Sequence, residues 1–472
     1  MSAEVPLVRR QIDQFIDEDL GVIIHPVFIF THNNKHLIIE KFGHIMLLDD
    51  SLLNMIYKQK LSQDIAIKLI QRGFASFLDS ESAYHDLKVS LKPTFFMIDL
   101  TRDCNLQCKY CMRNLIKNTQ QIKGHDYSVN SVMAICNFIK SYCEINDIKK
   151  ITIQPWGGEP LLEFNKIVAI RDFFNHTNIS VHISLETNGT LLTADLVKKL
   201  FELRVSVSVS IDGDGSIHDF QRVFANNSGS HAQVVKGITA LKAHYGNSIG
   251  TISTITQSSV TSIDFVLKYL AKDLGIIHSK LNFVRQSDFV QNNCQCVPES
   301  LIGDCAIRVL DTLISLRHEG YSIMESNILV KLYNIIGLRN TDLCFSRGCQ
   351  GGRKLVSFDL LGNIFPCEMT DYDSVIIGNI NDNRGLIKMI QDATDTNPYF
   401  IKKKSIQCEM CPWYCFCGGG CTSNKICNDT CANVDYIECA INRRLYPELV
   451  KLILIEPETV NSLLGTTVLD VQ

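Results

Sequence analysis

The sequence predicts an α/β protein built around a partial (β/α)6 barrel, with a small α+β domain before the barrel and a cysteine-rich domain after it. Three patterns lead to this prediction. Apolar runs alternate with amphipathic segments in the middle of the chain, strand and turn signals precede them, and most of the cysteines follow them. Because alternating strands and helices are typical of a parallel sheet, we expect the chemistry at the carboxyl ends of the strands.

The composition indicates a globular protein. The chain has 472 residues, enough for about three domains, and its 46% hydrophobic and 20% charged residues exclude a disordered or low-complexity protein. The net charge of -4 offers no basic surface for a polyanion, so we expect no nucleic-acid partner. The N-terminal residues lack the apolar core of a secretory signal, and no apolar run reaches the roughly 18 residues that span a membrane. We therefore expect a cytoplasmic protein without a membrane partner.

Residues 1–92 are predicted to form the small α+β domain. Short apolar runs in residues 22–48 are typical of strands, and the Asn-Asn pair at 33–34 favours a hairpin turn. Two amphipathic helices follow; Asp50 or Ser51 can cap the first, and a serine can cap the second. The expected unit is a three-stranded sheet backed by two helices. The residues alone leave a structural extension and a peptide-binding domain equally open.

Six apolar runs in residues 93–298 are predicted as the strands of the barrel. The runs are 94–100, 151–154, 181–185, 205–211, 251–256 and 280–284. Helical periodicity fills the gaps between them, for example in residues 128–145 and 193–203. This part of the chain is therefore expected to be a parallel sheet covered by helices.

Residues 299–340 are predicted as two helices that bridge the barrel to the cysteine-rich residues 341–445, and residues 446–472 as a C-terminal tail. Turn signals dominate the cysteine-rich part, so something other than a large apolar core must hold it. The chain has 19 cysteines, although a reducing compartment disfavours disulfides. Metal or redox chemistry is the expected explanation.

Cys104, Cys108 and Cys111 directly follow the first predicted strand and so lie at its carboxyl end. Three thiolates can hold three irons of a four-iron cluster and leave the fourth iron open to a ligand. A structural site would supply a fourth protein ligand. Two alternatives are a zinc site with a distant fourth residue and three unrelated core cysteines.

The segment CNLQCKYC at 104–111 resembles the signature of the radical S-adenosylmethionine (SAM) enzymes, including Tyr110, which we expect among the cofactor-binding residues. Three further elements agree with that family in order and spacing. They are WGGEP at 156–160 after the second predicted strand, ETNGT at 186–190 after the third, and SIDG at 210–213 after the fourth. One departure is Trp156, which stands where many relatives have a glutamine and cannot accept a hydrogen bond.

The resemblance implies how SAM is bound. The family's glycine pair, here Gly157 and Gly158, lets the backbone approach the cofactor, and Glu159 receives the cofactor's ammonium. Ser210 and Arg222 are implied to contact the ribose or the carboxylate. The three cysteines of the first motif are implied to bind the 4Fe-4S cluster that cleaves SAM reductively.

Seven cysteines near the C-terminus have a spacing that resembles the SPASM domain of a subset of this superfamily, and Cys344 makes an eighth. The resemblance implies two closed auxiliary 4Fe-4S clusters. The ligands of the nearer cluster are Cys344, Cys349, Cys367 and Cys421, and those of the farther cluster are Cys408, Cys411, Cys417 and Cys439. Zinc suits the CxxC pairs equally well on ligand chemistry alone, so this assignment depends on the resemblance.

The other cysteines are expected to be ordinary buried or loop thiols. They are Cys136, Cys143, Cys294, Cys296, Cys305, Cys415, Cys427 and Cys431. Of these, Cys415, Cys427 and Cys431 are the alternatives to Cys344 as the eighth ligand. Glu368 follows Cys367 and is expected either as a catalytic base, the role proposed for an acidic residue at this position in sulfatase-maturating relatives, or as a solvated loop carboxylate.

The resemblance implies an enzyme that cleaves SAM to a 5'-deoxyadenosyl radical, which abstracts a substrate hydrogen. Because SPASM relatives mostly modify peptides or proteins, we expect a maturase that crosslinks a ribosomally made precursor peptide, with ferredoxin or flavodoxin as a low-potential electron donor. Residues 1–92 resemble the winged-helix, RRE-like domain with which such maturases bind a leader peptide. The alternatives are a sulfatase-maturating type of protein modifier that forms formylglycine and a non-catalytic iron-sulfur electron carrier.

Overall fold

The computed structural model describes most of the chain, and its strands form three sheets of four, ten and three strands. The described residues are 8–78, 91–111, 128–285, 295–337, 342–346, 348–370, 373–401, 405–426 and 434–467. Among the helices in these residues, none is both long and apolar enough to cross a membrane.

The N-terminal unit contains two antiparallel sheets with the orders β1-β4-β5-β6 and β2-β3-β7. Its elements are β1 (Val8–Ile12), β2 (Phe15–Asp17), β3 (Val22–Ile24), β4 (Val27–His32), β5 (Lys35–Glu40), β6 (Ile45–Leu48), α1 (Asp50–Tyr57), α2 (Gln63–Gln71) and β7 (Ala75–Phe77). Buried apolar side chains such as Phe15, Ile38 and Leu69 join both sheets and both helices in one core. This core is formed by residues that are far apart in sequence.

Two local predictions for this unit are confirmed and two are wrong. The hairpin between β4 and β5 turns at Asn33, whose φ is 52°, and two helices follow. The expected single three-stranded sheet is wrong, because β1, β2 and the late strand β7 give two sheets instead. The cap of α1 is Asp49 rather than Asp50 or Ser51, since its carboxylate accepts the Leu52 N–H at 2.8 Å.

The six predicted strands of the central sheet are confirmed, and they are parallel neighbours in chain order. They are β8 (Phe95–Thr101), β9 (Lys150–Gly157), β10 (Ser180–Thr187), β11 (Val205–Ser210), β12 (Gly250–Ile255) and β13 (His278–Phe283). The helices between them are α3 (Val129–Ile145), α4 (Phe164–Asn175), α5 (Ala194–Glu202), α6 (Gly215–Gln221), α7 (His231–Tyr245) and α8 (Ile263–Lys268). In β8 the side chains of both faces are buried, as is typical of parallel strands covered by helices.

Four short strands extend this sheet at both ends, so the sheet is mixed. They are β14 (Met324–Glu325), parallel to β13; β15 (Leu355–Phe358), parallel to β8; and the antiparallel strands β16 (Asn363–Phe365) and β17 (Gly378–Asn379). The two predicted bridge helices are α9 (Glu299–His318) and α10 (Ser326–Ile335). The cysteine-rich part of the chain thus shares a sheet with the parallel strands.

The rest of the residues that the structure describes are helical or irregular. The helices are α11 (Leu386–Thr394), α12 (Ile406–Glu409), α13 (Tyr414–Cys417), α14 (Thr422–Ile426), α15 (Tyr436–Ile455) and α16 (Pro457–Leu464). Short 3-10 turns lie at Pro160–Glu163, Val260–Ser262 and Asp373–Val375, and a π-helical turn lies at Tyr269–Asp273. Most of the predicted tail is therefore packed helix, with Leu449, Val450 and Leu454 in the main core.

Candidate functional site

The loop after β8 carries the three cysteines of the first predicted motif, at the carboxyl end of the strand. They are Cys104, Cys108 and Cys111. Two backbone hydrogen bonds fix this loop to the last residue of α6 and to the residues that follow α6 in the sequence. Gln107 N–H donates to the Val223 carbonyl at 2.7 Å, and Lys109 N–H donates to the Gln221 carbonyl at 2.9 Å. The cysteine loop is therefore tied to the chain that follows β11.

The glycine pair at the end of β9 packs directly against the cysteine loop. A Cβ on Gly157 would lie 2.2 Å from the Thr101 carbonyl oxygen, and one on Gly158 would lie 2.1 Å from the Asp103 carbonyl oxygen. The backbones also pair, since Gly158 N–H donates to Thr101 and Glu159 N–H donates to Asp103, both at 2.8 Å. The glycines thus permit a close approach between two backbone segments, in addition to the predicted approach to the cofactor.

Replacing Gly158 with alanine is expected to displace the cysteine loop, because the new Cβ overlaps a backbone oxygen that cannot rotate away. Overpacking of this kind costs about 1–3 kcal/mol. The measurements are thermal unfolding and the iron content after anaerobic reconstitution, and both should fall. Gly385→Ala is the matched control, since nothing lies within 4 Å of its Cβ position. Equal stability and iron content in the two variants would contradict the proposed contact.

The Glu159 side chain links the ends of β9 and β10. Its carboxylate accepts the Thr187 hydroxyl at 2.7 Å, the Asn188 N–H at 2.8 Å and the Leu161 N–H at 3.1 Å. Glu159 is 1% exposed, and burial raises the pKa of its carboxyl while these hydrogen bonds oppose the rise. A carboxylate has about four lone-pair sites, so the predicted contact with the cofactor's ammonium remains chemically possible and stays a prediction.

We expect Glu159→Gln to weaken SAM binding by about 1.5–3 kcal/mol, because the charge that would receive the ammonium is lost. The new amide also places N–H donors where the carboxylate accepts backbone N–H groups. SAM affinity is measured by equilibrium binding to the reconstituted protein. The control is Glu163→Gln, which removes a partly exposed carboxylate paired with Lys166 and should leave the affinity unchanged. Unchanged affinity with reduced iron content would make Glu159 a purely structural residue.

The segment after β10 also contacts the cysteine loop. The Asn188 amide donates to the Asn105 side-chain oxygen at 2.8 Å and lies 3.8 Å from the Cys104 sulfur. The Asn105 amide in turn donates to the Thr190 hydroxyl at 2.8 Å. Asn188 was not predicted as a site residue, although it lies in the quoted ETNGT element. Its contacts place a neutral hydrogen-bond donor beside the first cysteine.

Asp212 organises the other side of the loop. Its carboxylate accepts the Tyr110 hydroxyl at 2.8 Å, Arg222 Nε at 3.0 Å and the Thr254 N–H at 2.8 Å. Asp212 is 2% exposed and Arg222 is 7% exposed, so the two form a buried ion pair. Ser210 lies at the carboxyl end of β11, two residues before Asp212. Tyr110 and Arg222 are thereby held at the cysteine loop, and their predicted contact with the cofactor stays a prediction.

The Arg222 guanidinium faces the Cys108 sulfur. The two groups are 4.0 Å apart, and the guanidinium carbon lies 5.4 Å from the centre of the Tyr110 ring. Burial raises the pKa of the Cys108 thiol to about 12, and the nearby positive charge of Arg222 opposes this rise. Arg222 thus stabilises a thiolate at Cys108, the form in which cysteine binds iron.

His218 supports this pair from behind. Its Nδ1 accepts the Asp212 N–H at 3.3 Å, and its Nε2 lies 3.0 Å from the Ser230 hydroxyl, which donates to the Arg222 carbonyl. Burial lowers the pKa of His218 to about 4, so the ring is neutral at neutral pH. His218 is a positioning residue for Asp212 and Arg222.

Three of the four predicted ligands of the nearer auxiliary cluster lie close to one another, and the fourth, Cys344, lies near Arg285 together with two of them. The four ligands are Cys344, Cys349, Cys367 and Cys421. Burial raises the pKa of Cys367 well above its ordinary range, and Cys349 and Cys421 raise it further through their proximity. Arg285 Nη1 lies 3.1 Å from the Cys421 sulfur, and the Cys349 sulfur lies 3.0 Å from the Tyr399 hydroxyl. The fold thus gathers these four thiols around buried polar groups.

Asp435 joins this group to the next one. Its carboxylate accepts the Cys421 N–H at 2.8 Å and the Asn424 amide at 3.0 Å, and it also caps α15. Gly420 has a φ of 79° and leaves no room for a side chain, since a Cβ there would lie 2.6 Å from the Asp435 Cβ. Because α15 carries Cys439, Asp435 connects a predicted ligand of the nearer cluster with a predicted ligand of the farther cluster.

The four predicted ligands of the farther auxiliary cluster line one cavity of about 490 Å³. They are Cys408, Cys411, Cys417 and Cys439. Burial raises the pKa of Cys417 to about 12 and also raises that of Cys439, with Cys411 adding to both through its proximity. The four thiols therefore face a common space.

The donor chemistry of all three groups fits iron-sulfur clusters. Among the described residues, no three Cys, His, Asp or Glu side chains converge closely enough to hold one metal ion. A four-iron cluster places each cysteine sulfur on a different iron atom, so its ligands do not converge on one point. Iron in these positions would also stabilise the thiolate form that burial disfavours.

Charged side chains lie beside the predicted ligands of the nearer auxiliary cluster. Burial raises the pKa of Glu186 on β10, Lys280 on β13 lowers it, and Glu368 raises it further. Lys280 Nζ lies 3.7 Å from an Asp342 carboxylate oxygen. The Cys367 thiol donates to Glu368 at 2.9 Å, so the predicted base faces this region and its role stays a prediction.

The remaining cysteines fall into four groups, one of which is Cys296 alone, partly buried just before α9. Cys136, Cys143 and Cys305 are buried in the main core, as predicted. Cys415 directs its thiol at the Pro412 carbonyl, 3.4 Å away, and is absent from the lining of the cavity around the farther ligands. Cys294, Cys427 and Cys431 lie outside the described residues.

The structure adds five residues to the predicted site. They are Asp212, Asn188, Glu186, Lys280 and Arg285. The first three lie in sequence elements that had been recognised, so their position after a strand was an available signal. Arg285 is the second residue after β13, where the carboxyl-end rule for parallel strands points to it, whereas Lys280 lies inside β13 and no sequence signal marks it.

Parallel strands with three cysteines at the carboxyl end of the first, held against a Gly-Gly-Glu element, define the class of a radical SAM enzyme. Residues 98–260 match the model of the Radical SAM superfamily, and the chain carries a domain of this superfamily. Its cofactors are a 4Fe-4S cluster and SAM.

The chain is 25% identical over 346 residues to the cysteine-type anaerobic sulfatase-maturating enzyme of Clostridium novyi (strain NT), covering 71% of this chain and 90% of that protein. It is similar to the structure of native anSMEcpe with bound AdoMet, with a TM-score of 0.64 and 20% identity over 76% of this chain and 99% of that one. It is also similar to Streptococcus suis SuiB bound to precursor peptide SuiA, with a TM-score of 0.52 and 14% identity over 88% and 97% of the two chains. The two structural likenesses show the fold.

Proposed function

We propose that this protein is a radical SAM maturase that modifies residues of a ribosomally made precursor peptide, forming a thioether or another crosslink. The observation that carries the proposal is a group of charged side chains beside the predicted nearer-cluster cysteines, in which Glu186 and Cys344 both lie near Lys280 and Glu368. When bound, SAM and the catalytic cluster supply a 5'-deoxyadenosyl radical that abstracts a substrate hydrogen. The precursor peptide bound to SuiB supports a peptide as the substrate class.

The side chains around the loop prepare this reaction. Cys104, Cys108 and Cys111 hold the catalytic cluster, with the positive charge of Arg222 beside Cys108. Asp212 keeps Arg222 and Tyr110 in place through buried hydrogen bonds. Buried groups of this kind are preorganised, so they need no reorientation when the reaction begins.

The auxiliary clusters are assigned to the two groups of four cysteines described above. Eight ligands close both clusters, which leaves no open iron and suits electron transfer or structural support rather than SAM cleavage. Glu368 is the candidate base that takes up a proton from the substrate. Ferredoxin or flavodoxin would supply the low-potential electron.

The N-terminal unit is proposed to bind the leader of the precursor. Both edge strands of its three-stranded sheet expose an apolar side chain, Ile16 on β2 at 49% and Phe77 on β7 at 54%. The outer strand of a sheet can take an extended peptide as another strand. The four-stranded sheet instead contacts the cysteine-rich part of the chain, since the Phe30 ring stacks on Trp413 with a centroid distance of 4.9 Å. This contact joins the proposed leader-binding unit to the cysteine-rich part.

Changing an edge residue to a charged one is expected to weaken leader binding. Ile16→Asp and Phe77→Asp should each lower affinity for the full precursor by about tenfold, because burying the new carboxylate beside the leader is costly. SAM cleavage without substrate should be unchanged. Leu47→Asp is the control, since Leu47 is 56% exposed on β6 of the other sheet. Loss of affinity in all three variants, or in none, would contradict this binding edge.

The second candidate function is that of a sulfatase-maturating type of modifier that forms formylglycine. The similarity to the Clostridium novyi enzyme favours it. The two functions differ in their need for a leader. The test is to incubate the reduced, reconstituted protein with SAM and the precursor encoded by a neighbouring gene, and to measure the product mass. A crosslinked product that requires the leader supports the maturase; equal processing of leaderless peptides supports the modifier.

A further inference from the structure

Arg285 is the second residue after β13 and contacts a proposed cluster ligand. Its Nη1 lies 3.1 Å from the Cys421 sulfur, and the guanidinium is partly buried. Cys421 raises the pKa of Arg285, and Cys344 and Cys367 contribute in the same direction. One guanidinium therefore lies among three of the four cysteines assigned to the nearer auxiliary cluster.

The charge of Arg285 has a specific electrostatic effect at that position. Reduction adds a negative charge to a cluster, and a fixed cation with an N–H donor at a ligand sulfur stabilises the reduced form more than the oxidised form. The cations near the farther group have a weaker effect. Arg9 and Arg443, which act on Cys411 and Cys439, are exposed to solvent and therefore screened. Lys331, which acts on Cys417, is buried but paired with Glu438 at 2.9 Å. The two auxiliary sites thus differ in their fixed positive charge.

We infer that Arg285 is a positioning residue that raises the reduction potential of the nearer auxiliary cluster above that of the farther one. The inference rests on the cluster ligands assigned under the proposed function. The electron that the substrate radical loses when a crosslink closes would then pass to the nearer cluster, which as the cluster of higher potential is the better acceptor and lies beside Glu368, the candidate base for the released proton. Arg285 acts through Cys421 and is assigned no contact with the substrate.

The alternative is a purely structural role, in which Arg285 only keeps the Asp435 carboxylate in place. The carboxylate of Asp435 is already supplied with donors, since it accepts the Cys421, Ile437 and Glu438 N–H groups and the Asn424 amide. Neutralising Arg285 leaves these four hydrogen bonds available. The redox role and the structural role therefore predict different results.

The test is an EPR-monitored redox titration of the full-length reconstituted protein in which Cys104, Cys108 and Cys111 are replaced by alanine, so that only auxiliary clusters contribute. In this background Arg285→Met should lower the ratio of reduced to oxidised nearer cluster about tenfold at a fixed potential, which is about 59 mV for one electron. Arg285→Lys keeps the charge and should recover part of the shift. Arg308→Lys, in the Asp264 ion pair, is the control and should leave both potentials unchanged.

Two results would overturn the inference. One is an unchanged potential in Arg285→Met with full auxiliary iron content. The other is an equal loss of about four irons in Arg285→Met and Arg285→Lys, which would make Arg285 structural. SAM cleavage by the protein with all its cysteines is measured in parallel. Its failure would count against the proposed function, whereas intact cleavage with an unchanged potential would count against the role of Arg285 alone.

Discussion

Replacing Cys104, Cys108 and Cys111 with alanine is expected to abolish 5'-deoxyadenosine formation. It should also lower the iron content from about 12 to about eight atoms per chain, at four per cluster. The loss is complete because these three thiolates are the only protein ligands proposed for the cluster that binds SAM. Iron analysis after anaerobic reconstitution and chromatography of the nucleoside product measure the two effects.

Cys415→Ala is the matched control for the cysteine assignment. Cys415 lies in α13 beside the farther ligands, but its thiol is directed at the Pro412 carbonyl. It should therefore keep about 12 irons and full SAM cleavage. Tightly bound zinc in the C-terminal groups, or no change in iron after the triple replacement, would contradict the assignment.

Asp212→Asn is expected to destabilise the protein by about 3–5 kcal/mol, because it leaves the buried Arg222 charge without its partner. The side-chain amide introduced by this change also carries N–H donors of its own. These would face Arg222 Nε or the Thr254 N–H, which are themselves donors to the carboxylate of Asp212. Chemical denaturation measures the free energy of unfolding. SAM cleavage should fall as well, since Arg222 and Tyr110 lose the group that holds them.

Two further variants separate the stability effect from the catalytic one. The double change Asp212→Asn with Arg222→Met removes the unpaired charge, so stability should partly return while SAM cleavage does not. Asp264→Asn breaks a solvent-exposed ion pair with Arg308 and should cost about 0–1 kcal/mol. A similarly small cost for Asp212→Asn would contradict the buried pair.

The parallel strands were predictable from sequence because each is a buried apolar run followed by polar turn residues. The predicted helical stretches 128–145 and 193–203 also match α3 and α5 to within one residue at each end. The pairing of the N-terminal strands was not predictable, since β7 joins β3 across some 50 intervening residues that include two helices. Such pairing depends on tertiary packing rather than on local propensity.

The cysteines of the site were predictable because their spacing is local. The groups that act on them come from elsewhere in the chain. Arg285 and Cys421 are 136 residues apart, and Asn188 and Cys104 are 84 apart. Only the three-dimensional fold brings such pairs together. Asp212 lies in a sequence element that was recognised after the fourth predicted strand. The sequence could not show that its one carboxylate accepts hydrogen bonds from Tyr110, Arg222 and Thr254 together.

The pairing of β15 with β8 limits where this protein can be truncated or fused to a part of another enzyme. The backbone of β15 continues the central sheet next to β8, with Leu355 paired to Phe95 and Phe358 paired to Ile98. A chain cut before residue 341 would expose the hydrogen-bonding groups and apolar side chains of β8, and such edges cause aggregation. A chimera that exchanges the cysteine-rich part with that of another enzyme must therefore keep β15, or supply a strand that pairs with β8 in the same register.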